Sequence, residues 1–142
     1  MGEFLSFLAD HYILSSAFVV LSVLLVWSFI APAVQGFAEL NTSQAVKEMN
    51  AGDVVLLDVR SENEFLSGHV INSINIPLSY LEKRIQELEK HKQSRLIVIC
   101  QSGARSKQAC ATLKKAGFTN LASLAGGVMA WQHDKLPLSK KR

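Results

Sequence analysis

The sequence predicts an α/β domain, built on a buried parallel sheet, behind one membrane-spanning helix. Three observations predict this. The runs DVVLLDV (53–59) and RLIVIC (95–100) are continuous in Val, Ile and Leu, as in strands buried on both faces of a parallel sheet. Helix-like segments alternate with strand-like ones throughout the second part of the chain, the pattern of α/β proteins. Finally, Ile13 to Ala31 forms 19 residues without a charge. At 142 residues, the chain has room for one domain with its own core.

The uncharged span covers roughly 28 Å as a helix, close to the hydrocarbon thickness of a bilayer. A secretory signal peptide is the rival reading, and Ala31-Pro32-Ala33 resembles a cleavage site. Against it, no Lys or Arg precedes the span and the apolar run is long. A core helix would be shorter and amphipathic. Residues 1–31 are therefore read as an N-terminal segment holding a single-pass anchor, in the cytoplasmic (inner) membrane of a bacterium. Every Lys and Arg follows Ala31, so the positive-inside rule places the C-terminal domain in the cytoplasm.

Residues 32–38, with Pro32 and Gly36, read as a linker, 39–138 as the folded domain and 139–142 as a basic tail. NTSQAVKEMNAG reads as a helix capped by Asn41 or Thr42, with Ala45, Val46 and Met49 on one face and Gly52 at its end. DVVLLDV is the first strand. SENEFLSGH opens a short helix at Ser61. SINIPLSYLEKRIQELEK gives a short strand, a proline and a helix from about Leu78. RLIVIC is the next strand, SKQACATLKKAGF a helix closed by Gly117, and NLASL the last strand. Gly126-Gly127 then turns the chain into a short helix through Trp131, which is read as core.

Charge excludes one class of partner. The net charge is +3, and of the 12 acids only Glu3 and Asp10 precede Ala31. The remaining charges are mixed in sign, without a basic stripe interleaved with aromatics, so nucleic acid is not an expected partner. The two cysteines are too few for a disulfide framework.

The chemistry concentrates in VICQSGARS. Cys100 ends a buried strand, where ligands of open α/β sheets bind. Gln101, Ser102, Gly103 and Ala104 turn the chain into the next helix, with Gly103 free to take positive φ. Arg105 then places a cation at a helix N-terminus, which already carries positive potential. That placement favours an anionic visitor. Backbone N–H groups of so short a turn converge on one spot and stabilise negative charge on a sulfur there.

The pieces LLDVRSENEFLSGHVINSINIPLS, VICQSGARS and NLASLAGGVMAW, in this order and spacing, resemble the rhodanese, or sulfurtransferase, domain family over nearly all of residues 39–133. The resemblance implies an open, mostly parallel five-stranded sheet flanked by helices. It also implies catalysis by Cys100 at the head of a six-residue loop reaching Arg105. The cysteine would take a sulfane sulfur from a donor such as thiosulfate or a protein persulfide, hold it as a persulfide, and pass it to a thiol or other nucleophile. Residues 101–105 would bind the substrate, and no metal or organic cofactor is needed. Phosphatases of related architecture have one more residue in this loop. The four residues between Cys100 and Arg105 make a nest better sized for one sulfur than for a phosphate.

Asp58 and Arg60, at the mouth of the first buried strand, are read as ion-pairing supports of the loop, and His69 as a structural hydrogen-bonding residue. Cys110 is read as a small packed hydrophobe, with a resolving thiol as its alternative role. The alternative for the whole chain is a membrane-anchored interaction module that uses the same fold to recruit partners, including other membrane proteins. The basic tail would add attraction to anionic lipid.

Overall fold

The computed structural model describes residues 11–34 and 36–140, which fall into two compact units divided between Gly36 and Phe37. The first is helix α1 (Tyr12–Val34). Its side chains Phe18, Leu21, Leu24 and Trp27 are more than half exposed, and by length and composition it is able to cross a membrane. The helix continues past Pro32 to Val34, and β1 opens at Ala38. Of the stretch expected as linker, residues 32–34 thus belong to the helix and Ala38 to β1, and the division between the two units falls within it. Near a helix end, a proline forfeits one backbone bond while its φ stays helical.

The second unit runs β1 (Ala38–Leu40), α2 (Thr42–Ala51), β2 (Val54–Asp58), α3 (Glu62–Ser67), β3 (Ile74–Asn75), α4 (Leu78–Arg84), a 3₁₀ helix (Ile85–His91), β4 (Arg95–Ile99), α5 (Ala104–Lys115), β5 (Leu121–Leu124) and α6 (Gly127–His133). The sheet order is β1-β5-β4-β2-β3. Every neighbouring pair is parallel, so the five-stranded sheet expected from the resemblance is present. The sequence reading missed β1, a three-residue edge strand whose pairing with β5 leaves no local signature. It also extended one helix from Leu78 through Lys90, where α4 passes into 3₁₀ geometry at Ile85. The apolar residues Ile85 and Leu88, three apart, share one face of a helix with three residues per turn.

Alternation along the strands sorts the core into two layers. Leu57, Leu96, Val98 and Cys100 face Ala109, Cys110 and Leu113 of α5, together with Leu81 and Leu88. Leu56, Ile97, Ile99 and Leu124 face Ala45 of α2 and Val128 and Trp131 of α6. The period of two in β4 therefore decides that Cys100 emerges on the α5 side of the sheet.

The tail expected at 139–142 is partly built in. Ser139 pairs with His69 in both directions, at 2.9 and 2.7 Å, and Leu138 lies where a Cβ on Gly68 would meet it. These backbone bonds make Ser139 part of the domain. Residues 141 and 142 lie outside the described ones.

Candidate active site

In β2 and β4 the register sets Asp58 beside Ile99, and the Val59 N–H donates to the Ile99 carbonyl at 2.9 Å. The carboxyl ends of the two central strands thus deliver Asp58, Arg60 and Cys100 to one edge. Cys100 is fully buried. Its Sγ accepts the Gly103 N–H at 2.9 Å, and Ser106 Oγ lies 3.5 Å away. Gly103 has φ 100° and caps α5, which turns its amide back onto the sulfur. The Ser106 hydroxyl contacts the Gly103 carbonyl at 2.9 Å and Ser123 Oγ at 2.7 Å. Both serines are fully buried, so the loop is tied to β5 from beneath.

From the other side the loop rests on the start of α6. Val128 and Met129 N–H donate to the carbonyls of Cys100 and Gln101 at 2.8 and 3.1 Å. Gly127, at φ 55°, lies so close that a Cβ there would sit 2.2 Å from the Cys100 carbonyl oxygen. The Gly126-Gly127 turn is thus a backbone-to-backbone seat for the loop.

Arg60 and Asp58 form a pair that is almost completely buried. Arg60 Nη2 donates to Asp58 Oδ2 at 2.8 Å and to the Gly68 carbonyl at 2.8 Å. Its Nη1 reaches Gln101 Oε1 at 3.3 Å. His69 Nδ1 lies 2.9 Å from the Phe65 carbonyl, with its ring stacked on that of Phe65 at 3.7 Å. Gln101 and Arg105 are half-buried, Gly103 is buried, and Ser102 and Ala104 are exposed.

The Arg105 cation, which the sequence leaves open to an anionic visitor, is already paired with an acid. Its guanidinium grips Glu64 with both terminal nitrogens, Nη1 to Oε2 at 2.9 Å and Nη2 to Oε1 at 2.7 Å. Glu64 is itself pinned. Its carboxylate accepts the Ser61 N–H at 2.9 Å and the Ser61 hydroxyl at 2.8 Å, completing the capping box of α3. The Arg105 hydrogen bonds, joined by those of Ser61 and opposed by burial, hold the Glu64 carboxyl at about 2.

Cys110 lies deep on α5, with Sγ 3.6 Å from the Ala122 carbonyl. Burial, above all, pushes its thiol up to about 12. It is a thiol at neutral pH and no ready nucleophile.

A rhodanese-like domain is matched over residues 41–134. The chain belongs to this family. One relative of the rhodanese-like chain, an uncharacterised protein of Escherichia coli K12, is 32% identical over 97% of both chains. A sulfurtransferase of Allochromatium vinosum is 35% identical over 61% of this chain and 78% of its own length. The crystal structure of a rhodanese-related protein from Thermoplasma volcanium superposes with a TM-score of 0.67 at 30% identity. That match covers 74% of this chain and all of that one. Sulfur transfer is the class of chemistry that these likenesses support.

Three contributors to this rhodanese-like site escaped the sequence reading: Glu64, Ser106 and Asn75. The Asn75 side-chain amide donates to the Asp58 and Arg60 carbonyls at 3.0 Å each. Only Glu64 carried a local signal, the Ser-x-x-Glu spacing from Ser61. Asn75 is recognisable only through partners distant in sequence, and the tie from Ser106 to β5 only through Ser123.

Proposed function

We propose that the protein is a membrane-anchored sulfurtransferase whose nucleophile is Cys100. The observation that carries the reading is the contact from the Gly103 amide to Cys100 Sγ at 2.9 Å, at the carboxyl end of a central parallel strand. A donor thiolate or sulfite is displaced when the Cys100 thiolate attacks the outer sulfur of a persulfide or of thiosulfate. The new S–S bond forms on Cys100, the donor's S–S bond breaks, and its electron pair leaves with the thiolate or sulfite. An acceptor thiolate then attacks the outer sulfur, and Cys100 leaves as thiolate. In this reading residues 101–105 bind the substrate, and the Gly103 N–H stabilises negative charge on the sulfur it faces.

Mass spectrometry after incubation with donor tests this. The expected result is the mass of one sulfur added at Cys100 and released to a thiol acceptor. Cys100→Ser abolishes it, while Cys110→Ser retains most of it because that thiol stays protonated. Loading that survives Cys100→Ser, or efficient hydrolysis of an aryl phosphate, would overturn the reading.

The anchor is part of the proposal. Residues 1–31 hold it, the domain of 39–138 lies on the cytoplasmic side of a bacterial inner membrane, and the membrane neighbours are candidate partners. The uncharged, exposed surface of α1 supports an integral span. The full-length chain should remain in the membrane fraction through an alkaline wash, and a chain starting at Phe37 should be soluble and folded. Extraction of the intact chain by alkali would refute the anchor. Both cysteines are fully buried, so sidedness is better read from protease protection of a tag placed after Arg142 than from thiol labelling. A tag cleaved from outside the membrane would reverse the topology.

A further inference from the structure

The cations around the loop are already matched by acids. Arg60 is paired with Asp58 at 2.8 Å, Arg105 with Glu64 at 2.7 Å, and Lys107, the next basic residue of α5, with Glu39 at 2.9 Å. Beside the loop opens a cleft of about 450 Å³, bordered by Val59, Leu78, Ser79 and Gln108, with Arg105 as its charged lining residue. Thiosulfate brings two negative charges to such a site, and both leave only with sulfite. A thiol persulfide brings at most one on the transferable sulfur and leaves as a thiolate. A mouth whose cations are internally neutralised gives the dianion little attraction.

Resting on the sulfur-transfer reading above, we propose that Glu64 sets donor selectivity at Cys100, neutralising Arg105 so that thiosulfate is disfavoured and a thiol persulfide is the donor taken. The geometry gives Glu64 this role independently of the pair itself. Ser61 fixes the carboxylate through two hydrogen bonds of the α3 cap, so the acid is held at Arg105 by its own helix as well as by the arginine. The arginine is in turn held by both terminal nitrogens. An incoming anion must compete with a bidentate, pre-positioned carboxylate.

Glu64→Gln separates the two duties of this residue. Glutamine is the other side chain that completes a capping box, so the acceptor for Ser61 is kept while the charge on Arg105 is released. The measurement is the half-saturating donor concentration for sulfur loading of Cys100, with thiosulfate and with the persulfide of 2-mercaptoethanol as donors. In Glu64→Gln the value for thiosulfate is expected to fall about tenfold, that for the alkyl persulfide to stay within about twofold, and the gain to shrink as salt is raised. The double variant Glu64→Gln/Arg105→Gln should lose the gain. An unchanged or higher value for thiosulfate in folded Glu64→Gln overturns the proposal, as does an equal gain for both donors or a gain that survives in the double variant. Should Glu64→Gln not fold by thermal unfolding, the wild type decides. Its half-saturating thiosulfate concentration must then exceed that of the persulfide by about tenfold, and equality or the reverse order overturns the proposal. A wild type that loads from neither donor overturns the sulfur-transfer reading itself.

Discussion

Replacing Arg60 by alanine is expected to lower the stability of the domain by about 3–5 kcal/mol, the usual consequence of removing one partner from a buried pair. Asp58 is fully buried and Arg60 nearly so. Without the guanidinium, the Asp58 side chain keeps the residue-60 N–H, which reaches Oδ1 at 3.0 Å, but loses its charge partner. The Gly68 carbonyl and Gln101 Oε1 lose donors in the same step, so the loop is loosened as well. For a domain of this size, such a loss lowers Tm by roughly 12 °C or more. Asp58→Leu together with Arg60→Met, an apolar pair of similar bulk, should cost less than Arg60→Ala alone, because no orphan charge remains. Chemical denaturation of these variants measures the comparison, and a cost below about 1 kcal/mol for Arg60→Ala would contradict it. The contrast with Arg105 and Glu64 is one of burial. Their side chains are 37% and 35% exposed, so that pair contributes at most about 1 kcal/mol to stability, and its role is in the electrostatics of the site.

Gly127→Ala should be comparably severe, by a steric route. A Cβ at this position would lie 2.2 Å from the Cys100 carbonyl oxygen and 2.7 Å from the carbonyl carbon of Gln101. These are backbone atoms, so no side-chain rotation relieves the clash, and φ 55° adds the penalty of left-handed backbone in a residue with a Cβ. The start of α6 must move off the loop, breaking the bonds from Val128 and Met129 N–H. We expect a loss of about 3 kcal/mol or more together with impaired sulfur loading. Gly52→Ala is the matched control. Its backbone is extended, nothing lies within 4 Å of its would-be Cβ, and its Tm should stay near that of the wild type. Equal melting of the two variants would show that the Gly126-Gly127 turn is no seat for the loop.

The features written in local sequence were those with local physical causes. Unbroken Val, Ile and Leu runs can only be satisfied by burial on both faces, which predicted β2 and β4. The pair Asn41-Thr42, of which Asn41 is the cap, and Ser61 announced α2 and α3 because a cap bonds to its own helix. Cys100 followed by a glycine that permits positive φ marked the loop, and the uncharged span marked α1. The features that only the tertiary structure decided depend on partners distant in the chain. β1 exists because β5 offers it an edge. Ser139 is ordered because His69 pairs with its backbone, and Ser106 acts through Ser123. Above all, the sequence presents Arg105 as a cation seeking an anion at a helix N-terminus, and it cannot show that Glu64, 41 residues earlier, already occupies it. Net charge at a site is a property of which side chains meet. That is fixed by how α3 packs beside the loop, whereas composition and spacing fix only which charges are available.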